Sequence, residues 1–242
     1  MRAQLPDAFR QTLVRAAAEA YRPAGRYARH FAQGKLAGDP IFPALLEQAL
    51  IPDRARVLDL GCGQGLLVAW LRTARERCDA GDWPAGLPAP PSLRGYRGID
   101  ALRVDIQRAQ MALGRRAAFE CGDLLDLPWP AADVVVLFDV LHYLDAEAQP
   151  RLLERIRHGL PADGRLLLRV GDRAAGLGQR RANLVDHTVA WVRGYGRRRF
   201  SCRTRQAWDA LLRQAGFAPE AQPMSGGTPF ANVLFVARPC RD

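Results

Sequence analysis

The run Arg56-Val-Leu-Asp-Leu60 followed by Gly61-Cys62-Gly63-Gln64-Gly65 constrains this chain more than any other feature. The short apolar run reads as a buried strand. The segment from Gly65 to about Arg77, with Leu66, Leu67, Val68, Trp70 and Leu71, carries the apolar stripe of a helix. Three alternating glycines between them let the backbone turn tightly and approach a ligand without a Cβ in the way, and they open a helix whose N-terminus favours electronegative groups. The dinucleotide pattern G-x-G-x-x-G places a further glycine where this chain has Leu66, which counts against a pyrophosphate ligand.

The same alternation continues along the chain. Tyr96 to Asp100 reads as a second strand, Ala101 to Leu113 as a helix, Ala117 to Cys121 as a third strand, and Asp133-Val-Val-Val-Leu-Phe138 as a central strand covered on both faces. Leu152, Leu153, Ile156 and Leu160 fall at helical spacing, and Arg165 to Val170 is the next strand. Gln206 to Ala215 reads as a helix capped by Thr204 and stopped by Gly216; Asn232 to Ala237 is a final strand, with a weaker one near Pro219 to Met224. Strand and helix in this order predict a doubly wound, Rossmann-like α/β sheet. Residues 1–50 stand apart as a helical extension, with helices expected over Asp7 to Tyr21 and from an Asp39 N-cap and Pro40 to Leu50. Four prolines between 84 and 91 mark 78–94 as an irregular insertion, and 171–203 is a second insertion before the last helix.

Charge is concentrated. The 242-residue chain has a formal net charge of +10, and residues 151–206, with fourteen arginines against four acids, hold all of that excess. Such a segment is either a solvated arginine-rich face or a surface that attracts anionic substrates, acidic carrier proteins, nucleic acid or lipid headgroups. Five cysteines in dissimilar contexts, without a C-x-x-C pair or clustered histidines, predict neither a disulfide framework nor a metal site. No signal-peptide pattern opens the chain, and no apolar run approaches the roughly 20 residues of a membrane span, so the expected location is cytoplasmic.

Open α/β sheets bind ligands at the carboxyl ends of their strands, and each end here carries an acid. Asp59 lies in the first strand before the glycine turn; Asp100 follows the second strand, where a carboxylate accepts hydrogen bonds from ribose hydroxyls. Asp123 follows the third strand, where a carboxylate accepts from an exocyclic amine, and Asp139 ends the fourth. Val57 to Gly65, Gly98 to Asp100, Cys121 to Leu124 and Asp133 to Leu144 together resemble the successive motifs of class I S-adenosylmethionine-dependent methyltransferases. The resemblance covers roughly residues 50–240 and implies a seven-stranded sheet with a terminal antiparallel strand. It implies that Gly61, Cys62, Gly63 and Gly65 cradle the methionine portion, that Asp59 reaches its amino group, and that Asp100 with Ala101 binds the ribose. Asp123 and Leu124 would hold adenine, and Asp139 and Val140 would border the sulfonium. Asp100 lies 35 residues beyond Gly65, whereas about 20 is usual. The proline-rich insertion accounts for the excess, and Asp79 and Asp82, nearer the usual distance, follow no strand.

The expected reaction is methyl transfer to a small organic acceptor, leaving S-adenosylhomocysteine. His142, beside the expected transfer point, is a candidate general base, weighed against a packing role at a helix start. Residues 1–50 would form a lid in such a family, with Tyr27, His30 and Lys35, the only lysine, as candidate lid or substrate residues. The alternative reading is a nucleic-acid methyltransferase or binder using 151–206, with Trp191, Tyr195 and Arg197 to Arg199 as its aromatic and basic surface. Thin aromatic interleaving and the absence of an Asn/Asp-Pro-Pro-Tyr pattern after the fourth strand argue against it. A fainter resemblance, carried by Lys35 to Asp39, Phe42, Pro43 and the tryptophan-and-proline insertion, is to stand-alone methyltransferases of bacterial aryl-polyene pigment pathways. It suggests an aryl acceptor, carried on an acidic carrier protein that meets the basic region.

Overall fold

The computed structural model describes residues 3–114, 117–173, 201–226 and 231–240. The chain divides into two compact units, Met1–Asp126 and Leu127–Asp242. Most of the basic insertion, with Trp191, Tyr195 and Arg197 to Arg199, lies outside the described residues.

In the first unit, β1 (Arg56–Leu60) runs parallel to β2 (Gly95–Asp100), and β2 runs parallel to β3 (Ala118–Cys121). Asp59 lies opposite Gly98, and Asp100 opposite Cys121, so the acids sit at or near the carboxyl ends of their strands. Helix α4 (Leu66–Asp79) follows the glycine turn and buries Leu66 to Leu71 and Ala74. Trp70, fully buried, donates its indole N–H to the carbonyl of Phe42 at 2.8 Å, which fastens α3 (Ile41–Glu47) to α4. Helix α5 (Arg103–Leu113) links β2 to β3. Residues 80–94 contain neither helix nor strand, as four prolines require.

The N-terminal region contains a helix that periodicity did not reveal. After α1 (Asp7–Glu19) and a 3-10 turn at Arg22–Ala24 comes α2 (Arg26–Gly38), whose buried residues Ala28, Ala32 and Leu36 recur every fourth position. Two of the three are alanine, so the stripe is narrow and weakly hydrophobic, and Gly34 interrupts the helix interior. It packs on α1, and α1 in turn on α4. The third helix is shorter than expected, ending at Glu47 instead of Leu50. Asp39 still caps it from one residue earlier, its Oδ1 accepting from the Ile41 N–H at 3.1 Å.

In the second unit, β4 (Val134–Phe138) pairs in parallel with β5 (Arg165–Gly171). β7 (Asn232–Pro239) lies antiparallel to both β5 and β6 (Phe217–Pro223). Helices α6 (Ala148–Gly159) and α7 (Arg205–Gln214) complete it; Thr204 Oγ accepts from the Ala207 N–H at 3.2 Å, and Gly216 follows in the left-handed region. The seven strands stand in the order β3-β2-β1-β4-β5-β7-β6, a Rossmann-like mixed sheet with an antiparallel terminal strand.

Candidate functional site

The turn between β1 and α4 is built from positive φ angles, +78°, +54° and +80° at Gly61, Gly63 and Gly65. The N–H groups of Gly61 and Cys62 both donate to the Ile99 carbonyl, at 2.7 and 3.1 Å, which clips the turn onto the end of β2. Asp100 completes the brace: Oδ2 accepts from the Gly63 N–H and Oδ1 from the Leu102 N–H, each at 2.8 Å, with the residue only 5% exposed. One carboxylate thus joins the glycine turn to the start of α5. A Cβ at Gly65 would lie 2.8 Å from the Phe119 ring, and one at Gly98 would lie 2.7 Å from Cys62 Sγ, so both are glycines by close approach. A Cβ at Gly63 would meet nothing within 4 Å. The turn is therefore packed at its far end and open at its middle.

Behind the turn lies a buried polar cluster that sequence reasoning identified only in part. Tyr96 donates its hydroxyl to Asp59 Oδ2 at 2.5 Å, and Tyr21, fully buried, donates to the Gln64 carbonyl at 2.9 Å. The Gln64 side chain donates to the Ala28 carbonyl at 2.8 Å, so the N-terminal helices are hydrogen-bonded to the glycine turn itself. Burial raises the Asp59 carboxyl to about 7, against the lowering effect of the Tyr96 hydrogen bond and with a smaller push from the Asp100 charge. Burial likewise drives Cys62, Tyr21 and Tyr96 well above their ordinary values. Tyr21, Gln64 and Tyr96 stand 43, 36 and 37 residues from their partners, separations that no local pattern reports.

The other expected residues of this unit are placed as follows. Ala101 is exposed, and its carbonyl accepts from Cys121 Sγ at 3.6 Å. Asp123 is exposed and forms a local turn, its Oδ1 accepting from the Leu125 N–H at 2.8 Å, while Leu124 is buried. Asp79 and Asp82 are exposed and paired with Arg75 and Arg77. Tyr27 is 58% exposed, with the Arg108 guanidinium 4.6 Å from its ring centre, and His30 is exposed on the same helix. Lys35 pairs with Asp39 at 2.8 Å and so supports the junction of α2 and α3.

In the second unit, Asp139 directly follows β4 with φ +58°, an uncommon conformation for a residue with a Cβ. Its N–H donates to the Arg169 carbonyl, and Arg169, 2% exposed, grips both carboxylate oxygens, Nε donating to Oδ1 at 2.9 Å and Nη2 to Oδ2. Val140 is half-buried and leads into a 3-10 turn, Leu141–Tyr143. His142 in that turn is buried, and burial lowers its pKa to about 4, with the Asp139 charge opposing the shift, so the ring is neutral at pH 7. Several arginines of the basic stretch are bound internally. Arg155 lies over the Trp129 ring and donates to the Leu127 carbonyl, Arg157 donates to the carbonyls of Gly216 and Cys240, and Arg203 donates to Gln149.

The profile of the methyltransferase domain family matches residues 28–222. The chain belongs to that family. Comparison with curated protein sequences finds no match. Among solved structures, human N-acetylserotonin methyltransferase in complex with SAM is 18% identical, with a TM-score of 0.56, covering 98% of this chain and 57% of that one. The pyocyanin biosynthetic protein PhzM is 21% identical at TM-score 0.60, covering 92% and 61%. An O-methyltransferase family 2 protein from Planctomyces limnophilus, in complex with apigenin, is 16% identical at TM-score 0.57, covering 92% and 61%. The chain thus spans about three fifths of each of these proteins, and at these identities the likeness is one of fold. Among the described residues no group of three His, Cys, Asp or Glu is arranged for a metal, and no helix is long and apolar enough to cross a membrane.

Proposed function

We propose that the protein transfers a methyl group from S-adenosylmethionine to a small organic acceptor. The observation that carries this reading is the glycine turn, open at Gly63 and braced from below by the buried Asp100. The residues present suit that cofactor. Gly61, Cys62, Gly63 and Gly65 would hold its methionine portion, with Asp59 behind them. Asp100 and Ala101 would take the ribose, since an ionised carboxylate has lone pairs beyond the two used by Gly63 and Leu102. Asp123 and Leu124 would take the adenine, and Asp139 and Val140 would border the sulfonium. When bound, the cofactor supplies an electrophilic methyl on a sulfonium sulfur.

The chain's own residues then contribute mainly orientation, which is worth on the order of 7–11 kcal/mol when two reactants are held in line. His142 is a weak base in its buried state; its role is to accept a hydrogen bond from the acceptor as a neutral ring. An aryl acceptor is favoured because N-acetylserotonin methyltransferase and the apigenin-bound protein, both similar in fold, handle aromatic molecules by name. Tyr27 and His30 on the exposed face of α2 remain candidates for the lid in residues 1–50, whereas Lys35 is engaged with Asp39. A carrier protein of acidic surface suits the arginines of 151–206. Nucleic acid suits them less, because few aromatic side chains are interleaved with them for stacking on bases.

The test is thermal denaturation with S-adenosylhomocysteine or NAD, on wild type and Asp100→Ala. A ligand that binds only the native state raises the melting temperature. The expected result is a rise with S-adenosylhomocysteine alone, lost in the variant. No rise in wild type overturns the reading, and an undiminished rise in the variant overturns the role of Asp100.

A further inference from the structure

Gln149, in the first turn of α6, is completely buried. A buried amide must place two N–H groups and a carbonyl, and the partners it finds show what it serves. Its Nε2 lies within donating distance of three carbonyls: Leu141 at 3.1 Å, Leu144 at 3.3 Å and Ser201 at 2.9 Å. Its Oε1 accepts from Arg203 Nε at 2.7 Å. The first two carbonyls bracket the 3-10 turn that carries His142. The other two partners, Ser201 and Arg203, belong to the last residues of the basic insertion. Further contacts run the same way, with the Ser201 backbone N–H donating to the His142 carbonyl at 3.1 Å and the Arg203 side-chain Nη2 to the Ala146 carbonyl at 3.3 Å. A single 3-10 turn closes few hydrogen bonds of its own and is held by what surrounds it. Here one side chain spans the turn and ties it to residues 201–203.

We propose that Gln149 is a positioning residue of the acceptor side, fixing the orientation of the His142 turn against residues 201–203. It acts through the backbone of Leu141 and Leu144. The proposal rests on the methyltransferase reading for its consequence, since the turn matters to catalysis only if His142 meets an acceptor.

The experiment replaces Gln149 by methionine, which has nearly the same length but neither donates nor accepts in the same way, and replaces the half-buried Arg203 by methionine separately. Histidine side-chain ¹⁵N–¹H spectra follow the titration of His142 in the full chain, and melting curves with S-adenosylhomocysteine are recorded on the same samples. In Gln149→Met the unpartnered carbonyls admit water to the turn, and the His142 midpoint rises from about 4 by at least about one pH unit toward the ordinary 6.5. The rise in melting temperature with S-adenosylhomocysteine persists. A folded Gln149→Met with an unmoved His142 midpoint overturns the proposal. If that variant does not fold, Arg203→Met decides, a raised midpoint supporting the proposal and an unchanged one overturning it. Failure of wild type to respond to S-adenosylhomocysteine overturns the methyltransferase reading and leaves the His142 comparison intact, so the two failures are distinct.

Discussion

Alanine substitutions at Gly63 and Gly65, two residues apart, should behave very differently. At Gly63, φ is +54° and a Cβ would stand in open space; at Gly65, φ is +80° and a Cβ would lie 2.8 Å from Phe119 Cε1 and Cζ and 2.9 Å from Leu113 Cδ1. Left-handed backbone costs alanine about 1–2 kcal/mol, partly offset by about 0.4–1 kcal/mol from the stiffer unfolded chain, for a net loss of about 1 kcal/mol at either site. Gly65→Ala adds overpacking against the half-buried Phe119 and the buried Leu113, about 1–3 kcal/mol, for a total of about 2–4 kcal/mol. For a chain of this length each kcal/mol lowers the melting temperature by about 2–4 °C, so the expected losses are about 2–4 °C for Gly63→Ala and about 4–16 °C for Gly65→Ala. Ligand response should separate in the opposite sense. Gly63→Ala puts a methyl into the open face of the turn and abolishes the stabilisation by S-adenosylhomocysteine, whereas the folded fraction of Gly65→Ala retains part of it. Scanning calorimetry with and without S-adenosylhomocysteine reads both. Equal losses for the two variants, or a Gly63→Ala that still responds fully to the ligand, would refute the account of a turn packed at one end and open in the middle.

Asp59 should make stability depend on pH. Its folded value of about 7 against an ordinary 3.8 means that the folded state holds the proton across that interval while the unfolded chain does not, so stability falls as pH rises from about 4 to about 7 and levels off above. Urea denaturation at pH 5 and pH 8 should show the difference, and Asp59→Asn should flatten it. Asp139→Ala leaves the buried Arg169 guanidinium without its carboxylate and should cost about 3–5 kcal/mol in urea denaturation. Arg169→Met should cost less, because the carboxylate it strands is one third exposed. Thr204→Ala should cost about 1 kcal/mol through the lost cap of α7, read as a change in urea midpoint at constant slope.

The central strands were legible in sequence because β1, β4 and β5 are short, mainly apolar runs, and β4 is apolar throughout, from Val134 to Phe138. The acids at the strand ends were legible because position relative to a strand is a local property, which is also why Asp100 stood out from Asp79 and Asp82. Helix α2 was illegible because alanine packs without signalling burial, and Ala28 and Ala32 form most of its seam. The hydrogen bonds of Tyr21, Tyr96 and Gln149 were illegible for a different reason. Their partners are distant in sequence or are backbone carbonyls, and a carbonyl leaves no trace in residue identity.

The Arg173 N–H donates to the Arg203 carbonyl at 3.1 Å, so the chain leaves β5 and returns to α7 through the same point. A stretch tethered in this way at its two ends is thermodynamically cheap to lengthen or shorten, since doubling a loop costs only about 0.6 kcal/mol in closure entropy. A change of length confined to residues 174–200 is therefore expected to leave in place both this closing hydrogen bond and the contacts of Ser201 and Arg203 with the His142 turn and Gln149.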